Sequence, residues 1–206
     1  MRTHRFVLAG LASLVLMLSV YTLRPAHAQE VSPRQHFDAG RYSETIQAIP
    51  ADAGDDMKYL AAQAHLRLHQ QGEAKALFAQ LGGGDENNAW TFVGRAAAAQ
   101  VDGDAAGSEA AARRAVEMNG ELAEAHYQLG QSLYATSNWA GAAEAFAHTP
   151  QMAPGNAYAH YYAGQSFYRA KRMDRMAQHF EYFLKLAPDA PERPQVEAVM
   201  RTVRGR

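Results

Sequence analysis

The chain has no cysteine among its 206 residues. Without a thiol it cannot form disulfide bonds, thiolate metal sites or iron–sulfur clusters, and it has no cysteine to acylate as a lipid anchor. An excess of one charge sign is also lacking, because the formal net charge is only −1. The composition gives no basic field that would attract nucleic acid, so we expect no nucleic-acid partner. No motif in the chain predicts a cofactor.

The N-terminal segment, 1–28, has the pattern of a secretory signal peptide. Arg2 and Arg5 precede an apolar stretch, FVLAGLASLVLMLSVY at positions 6–21, and the segment ends with Ala26-His27-Ala28. A positive start, an apolar stretch and a small-x-small site predict cleavage after Ala28. We expect the mature chain to be periplasmic or secreted, without a stable membrane span. An uncleaved anchor is the alternative, although the apolar stretch is short for a span.

The charges of the expected mature chain are unevenly spread. Residues 29–145 carry 8 Lys/Arg and 16 Asp/Glu, a net charge of −8, whereas residues 146–206 carry 9 and 5, a net charge of +4. An acidic half and a basic half can orient a charged partner as it approaches.

The mature segment has the pattern of a series of helices. Apolar residues recur at spacings of three and four, and no long stretch alternates with the period of two that is typical of strands. Glycine and proline interrupt the pattern at short intervals, as in Gly82-Gly83-Gly84 and Pro154-Gly155. Short connections between helices favour antiparallel hairpins.

Two stretches of the chain repeat each other: HYQLGQSLY at 126–134 and HYYAGQSFY at 160–168. The same offset separates Gly130 from Gly164, Phe146 from Phe180, and Pro154 from Pro188. This pattern resembles the tetratricopeptide repeat, which has a period of about 34 residues and a signature that contains these positions. The resemblance implies an all-α fold, a right-handed solenoid of antiparallel helix hairpins with a C-terminal capping helix.

The resemblance also implies boundaries for the repeats. We expect a degenerate first repeat at 29–56, repeats at about 57–86, 87–122, 123–156 and 157–190, and a capping helix and tail at 191–206. In the repeat at 87–122 we take Gly94 as the counterpart of Gly130, although it precedes Gly130 by one period and two further positions. In the repeat at 57–86 we take Ala64 as the counterpart. That alignment predicts a turn near 101–104 that is longer than usual by the same two positions.

Several residues have a structural explanation in such a repeat. Gly130 and Gly164 let the two helices of a hairpin approach closely because no Cβ intervenes. Phe146 and Phe180 fill the space between repeats. Pro150 lies late in a second helix, where we expect it to end or kink the last turn.

Other polar and aromatic residues exceed what the repeat requires. The inner side of each first helix should line a concave groove, and the positions at −3, +1 and +4 from the small residue share one helix face. These positions and their neighbours define a predicted partner-binding groove of Tyr127, Gln131, Tyr134, Tyr158, Tyr161, Gln165, Tyr168, Arg169 and Arg95. Tyrosine offers rigid area with a polar tip, and glutamine can donate to and accept from a peptide backbone. The alternative is that these tyrosines are partly buried packing residues.

We expect a non-catalytic scaffold that holds a protein or peptide partner in an envelope assembly. The chain shows no convincing pair of catalytic residues, and the triple glycine at 82–84 lacks the Lys and Ser/Thr of a phosphate loop. Two alternatives remain at this point. His65 and His69, at positions i and i+4, could share a metal or serve an enzyme, although surface histidines are the more ordinary interpretation. The chain could instead have a purely structural role, with self-association or its own terminus filling the groove.

Overall fold

The computed structural model describes residues 31–205, so the predicted signal peptide lies outside the described part. Within those residues the chain forms eleven helices and no strand. The helices are α1 (Pro33–Asp38), α2 (Tyr42–Gln47), α3 (Asp55–Arg67), α4 (Gln71–Gly82), α5 (Ala89–Val101), α6 (Ala105–Met118), α7 (Ala123–Ala135), α8 (Trp139–Met152), α9 (Ala157–Arg169), α10 (Met173–Leu186) and α11 (Arg193–Arg204). Helices α1 to α10 pair into five successive hairpins, which confirms the predicted all-α hairpin solenoid. Over the same residues, no helix has the length and hydropathy needed to cross a bilayer.

The period of the repeat runs without interruption through four hairpins. Helices α3, α5, α7 and α9 are equal in length and begin at positions 55, 89, 123 and 157, which are evenly spaced. Every hairpin turn has one residue with a positive φ, which is Gly40 in the first hairpin. In the other four hairpins these residues are again evenly spaced: His69, Gly103, Ser137 and Lys171. The predicted longer turn near 101–104 is therefore wrong. The counterparts of Gly130 are Ala96 and Ala62, rather than Gly94 and Ala64.

A glycine is needed at position 94 for a different reason than at position 130. A Cβ added to it would lie 2.5 Å from the backbone nitrogen of Gly82 and 2.5 Å from Cβ of Leu81. The glycine therefore lets α5 approach the end of α4, which belongs to the preceding hairpin. The alignment through Gly94 failed because a glycine required between hairpins was matched with one required inside a hairpin.

The glycines of the last two hairpins allow close packing as predicted. A Cβ at Gly130 would lie 2.7 Å from the ring of Phe146, and one at Gly164 would lie 2.5 Å from the ring of Phe180. Phe146 also stacks on Tyr162 of the next hairpin, with ring centroids 5.4 Å apart. This phenylalanine therefore fills space both within its hairpin and between hairpins.

The ends of the helices follow local chemistry. The side chains of Asn138 and Asn156 accept hydrogen bonds from the backbone at the start of α8 and α9, as N-cap residues do. Pro150 does not end α8, which continues to Met152. The helix stops just before Pro154, where a proline restricts the preceding backbone.

The two ends of the described chain meet. The ring of Phe37 in α1 lies 5.4 Å from the ring of Tyr158 in α9. Gly40 in the α1–α2 turn packs so closely on the segment before α11 that an added Cβ would lie 2.9 Å from Cδ of Pro191. The short first hairpin is thereby held against the C-terminal part of the solenoid.

Candidate functional site

The first helices of the hairpins, α3, α5, α7 and α9, converge on one side of the solenoid, which we call the inner face. Tyr59 in α3 donates a hydrogen bond of 2.9 Å to Gln128 in α7. Arg67, also in α3, donates one of 3.0 Å to Tyr162 in α9. Contacts between helices of non-adjacent hairpins show that the first helices surround a narrow interior.

Three of the predicted groove tyrosines lie in the core. Tyr127, Tyr158 and Tyr161 are only 7%, 1% and 7% exposed. The Tyr127 ring packs edge-on against Phe146, with centroids 5.5 Å apart, and burial raises the pKa of all three hydroxyls. These three rings therefore have no free face on which a partner could stack, and the alternative of packing residues describes them. The reason is the tight convergence of the first helices, which encloses side chains on their inner sides.

The glutamines that follow two of these tyrosines bind their hydroxyls. Gln131 donates a hydrogen bond of 3.1 Å to Tyr127, and Gln165 donates one of 2.6 Å to Tyr161. The unbroken period places Gln63 at the same position in α3. Burial raises the pKa of Tyr59, and the hydrogen bond between Gln63 and the Tyr59 hydroxyl acts in the opposite direction by lowering it. Sequence reasoning missed Gln63 because the repeat was aligned two positions away.

Arg95 does not join the other predicted residues. Its guanidinium donates a hydrogen bond of 3.0 Å to Glu86 in the α4–α5 connection and one of 2.9 Å to the carbonyl of Gly82 at the end of α4. The period of the repeat makes position 95 equivalent to Leu129, not to Gln131. The inclusion of Arg95 in the groove was a consequence of the wrong alignment.

The inner face contains a cavity of about 320 Å³ between α3, α5 and α7, which we call the glutamine cavity. Gln128 at its base donates a hydrogen bond of 2.6 Å to Gln100. Its lining includes Gln63, Gln71, Gln100, Gln128, Gln131 and Arg67. Each amide side chain has two donor and two acceptor positions, so the lining is rich in uncharged hydrogen-bonding groups.

A smaller cavity of about 140 Å³, the tyrosine cavity, holds most of the remaining predicted residues. Tyr134 donates a hydrogen bond of 3.3 Å to Gln165, and Tyr168 is 44% exposed. Arg169 lies over the ring of Trp139, 5.6 Å from its centroid. Helix α11 forms one wall, so the capping helix covers part of the predicted groove. The lining consists of Tyr134, Tyr161, Gln165, Tyr168, Arg169, Phe180, Gln195, Val196 and Val199.

A polar network, which we call the Arg67–Glu192 network, crosses the inner face. Arg67 pairs with Glu192 at 2.8 Å, and these side chains are only 24% and 15% exposed. Tyr158 donates a hydrogen bond of 2.7 Å to the other oxygen of Glu192 and lies 3.2 Å, oxygen to oxygen, from Tyr42. The Arg67 guanidinium also lies 4.5 Å from the centroid of the Tyr158 ring, a favourable cation–π distance. The network joins α2, α3, α9 and the residue before α11.

The His65/His69 alternative loses its geometric basis. Helix α3 ends at Arg67, and His69 lies in the following turn with φ of 59°, so the two rings do not follow each other on one helix face. Nδ1 of His65 is 2.7 Å from the side-chain oxygen of Gln70. Across residues 31–205, no three potential metal ligands of the His, Cys, Asp or Glu type are grouped closely enough to hold an ion.

The opposite side of the last two hairpins carries a cleft of about 700 Å³ between α8 and α10, which we call the outer cleft. His160 and His179 lie at its base with their Nδ1 atoms 3.1 Å apart, and burial lowers the pKa of both to about 4. Both rings are therefore neutral at neutral pH and share one proton between facing nitrogens. Tyr182, which is 47% exposed, stacks on His160.

Comparison with known proteins agrees with this architecture. No protein-family model matches the chain, and no curated protein matches it in sequence. The chain is similar in structure to TTC0263, a thermophilic TPR protein in Thermus thermophilus, with a TM-score of 0.59 and 14% identity, over 82% of this chain and 95% of the other. MamA is matched at a TM-score of 0.49 with 18% identity over 75% and 93% of the two chains. YrrB, described as a TPR protein with an unusual peptide-binding site, is matched at 0.48 with 22% identity over 75% and 79%. Of these three scores, only that for TTC0263 is high enough to support a shared fold.

Proposed function

Since the chain has the tetratricopeptide-repeat fold, we propose that it is a non-catalytic adaptor that binds an extended segment of a partner protein on its inner face. The glutamine cavity is the centre of the site. Arg67 forms its edge, and the tyrosine cavity, with Tyr134, Gln165, Tyr168 and Arg169, extends it toward α11. Repeat solenoids commonly use the surface formed by their stacked units to bind other proteins.

One observation carries this proposal: glutamine amides from three first helices line a single open cavity. An extended peptide presents alternating N–H and C=O groups, and an amide side chain can pair with either kind. Uncharged amides also cost less to desolvate than carboxylates or ammonium groups. A lining of this type favours recognition of a peptide main chain over recognition of a charged side chain.

The test compares capture of a partner from cell-envelope extract by two double variants. Gln63→Ala with Gln131→Ala changes the glutamine cavity, and Gln151→Ala with Gln178→Ala changes two glutamines of the outer cleft as a matched control. We expect the first pair to weaken capture at least tenfold and the second less than twofold. Equal capture by both pairs contradicts the proposal.

Recognition of a main chain has a further consequence for the captured segment. Binding should survive replacement of most of its side chains by alanine, but methylation of two or three backbone nitrogens should abolish it, because each methyl group removes an N–H donor. The measurement is fluorescence anisotropy with synthetic versions of the segment. Loss of binding on side-chain replacement, with tolerance of N-methylation, would show recognition of another kind.

We place this activity outside the cytoplasm, in an assembly of the bacterial envelope. The support is the sequence pattern of residues 1–28, with its basic start, apolar stretch and small-x-small site. N-terminal sequencing of the protein released by osmotic shock should begin at Gln29. Recovery of the protein in the cytoplasmic fraction with Met1 intact contradicts this placement.

A purely structural role is the second candidate, and one observation favours it. Phe37, Tyr42 and Glu192 of the chain itself occupy part of the inner face. If that occupation is permanent, the inner face has no room for a long peptide. The chain would then act through its outer surface or by self-association, which sedimentation at increasing protein concentration would reveal.

A further inference from the structure

The Arg67–Glu192 network joins parts of the chain that are far apart in sequence and near the same cavity. Arg67 lines the glutamine cavity, and Glu192 precedes the helix whose residues wall the tyrosine cavity. The pair thus lies between the two open parts of the inner face.

Glu192 is directed at Arg67 instead of at its own helix. It occupies the N-cap position of α11, yet its side chain makes no capping hydrogen bond. Its two carboxylate oxygens instead accept from Arg67 at 2.8 Å and from Tyr158 at 2.7 Å. Pro191 and Pro194 on either side restrict the backbone and hold the carboxylate in place.

The first hairpin depends on the same network. Helices α1 and α2 have six residues each, less than two turns, and helices this short are not stable on their own. The Tyr42 hydroxyl contacts Tyr158, and Gly40 packs on Pro191. The first hairpin and the segment before α11 therefore support each other across the inner face.

From this geometry we infer that Glu192 is an internal latch that holds the two ends of the solenoid together at the inner face. While it pairs with Arg67, which lines the glutamine cavity, the first hairpin and the segment before α11 stay together at the inner face. When the pair separates, both ends of the solenoid loosen together and the glutamine cavity widens, so its lining becomes more accessible. The latch regulates the site proposed above, so its relevance to binding rests on that proposed function, but the coupling between the two ends is a property of the chain alone.

Hydrogen–deuterium exchange of the full chain tests the coupling. Glu192→Gln removes the charge of the latch, and Glu197→Gln is the matched control because its partner Arg193, at 2.8 Å, lies on the surface of the same helix. In Glu192→Gln we expect exchange at least fivefold faster in both 33–47 and 193–204, with 105–118 unchanged, and in Glu197→Gln no change at 33–47. Faster exchange in 193–204 alone, or in neither segment, overturns the inference.

Two further readouts keep the test decisive. If Glu192→Gln unfolds the whole chain, Tyr42→Phe is used instead, since it removes one hydroxyl of the network. Exchange in 193–204 should still rise at least twofold, and no rise overturns the latch.

Access to the glutamine cavity is measured with Gln131→Cys, which introduces a single thiol because the chain has no cysteine of its own. Labelling of this thiol by a maleimide should be at least fivefold faster when Glu192→Gln is also present. An unchanged labelling rate also overturns the inference. None of these measurements uses a partner. Equal partner capture by the two double glutamine variants, together with intact coupling, would therefore contradict the proposed function only.

Discussion

The hairpins α7–α8 and α9–α10 have similar sequences, but their side chains have different surroundings. Ser132 bonds to Ser108 of the preceding hairpin at 2.6 Å, whereas its counterpart Ser166 is buried without a hydrogen-bond partner. Nε2 of His126 lies 2.9 Å from the carbonyl of Gly120, whereas its counterpart His160 is buried against His179. The identity of a residue is repeated, but its role depends on partners that are not repeated.

The features shared by the two hairpins are those that act within one hairpin. Glycine faces phenylalanine in both, and in both a glutamine donates to the tyrosine one turn earlier. The features that differ involve partners that are not repeated: Ser132 bonds to the preceding hairpin, and His160 meets His179, where the hairpin α7–α8 has Ala145. A sequence repeat therefore predicts packing inside the unit and leaves function to the contacts between units.

The largest expected effect is on the free energy of unfolding, which should fall far more when a buried tyrosine of the two hairpins is replaced than when an exposed one is. Tyr127→Ala and Tyr161→Ala should each lower the free energy of unfolding by about 3–4 kcal/mol, because each removes a core aromatic ring. Tyr168→Ala should lower it by less than about 1 kcal/mol, since that side chain is largely in solvent. Urea titration followed by far-UV circular dichroism measures all three. Equal losses for the three variants contradict the assignment of burial.

A smaller loss of stability should follow substitution of the two glycines at which a helix backbone packs closely on a phenylalanine ring. Gly130→Ala and Gly164→Ala introduce a methyl group 2.7 and 2.5 Å from a phenylalanine ring, so each hairpin must open slightly. We expect a loss of about 1–2 kcal/mol for each, as overpacking usually costs. Gly155→Ala, which meets nothing within 4 Å, is the control. A loss in the control as large as in the other two would show that the effect is not steric.

The histidine pair should make the last hairpin sensitive to acid. Its pKa of about 4 lies below the ordinary 6.5, so between these values the unfolded state binds more protons and stability falls as the pH falls. Each histidine contributes a slope of up to about 1.4 kcal/mol per pH unit. His160→Phe with His179→Ala, residue types that the repeat already carries at 92 and 145, should remove this slope. Urea titrations at pH 7 and pH 4.5 measure it.

The pH dependence is compared between two proteins, with and without the histidine substitutions, that both also carry Asp38→Asn. Burial raises the pKa of Asp38 to about 7, partly opposed by Arg34, so its contribution to stability falls as the pH rises from 3.8 to 7. Asp38→Asn removes that opposing dependence and is therefore included in both proteins. A slope that persists without the histidines would show that other groups cause it.

The smallest effect compares the two serines. Ser132→Ala should cost about 1 kcal/mol because it leaves the buried Ser108 hydroxyl without its partner. Ser166→Ala should be neutral or slightly stabilising, since the hydroxyl it removes has no partner to lose. Thermal unfolding of the two variants side by side measures the difference. Equal destabilisation would mean that the Ser166 hydroxyl is satisfied in solution.

The sequence predicted the hairpins and the packing of Gly130 and Gly164, because these depend on residues within one repeat unit. It failed to place Gln63, since the alignment of its unit through Ala64 was shifted by two positions from Ala62. It also could not show that Tyr158 is buried or that Glu192 meets Arg67. Both results follow from how far the solenoid turns over four hairpins, which is the sum of many small packing angles.

The most direct test of the inner face as the binding site is photocrosslinking in living cells. A photoreactive phenylalanine analogue replaces Gln131 in the glutamine cavity or, as the matched control, Tyr182 in the outer cleft. We expect irradiation to join a specific partner to the chain at position 131 and no partner at position 182. Crosslinking of a partner at position 182 with none at position 131 would contradict it.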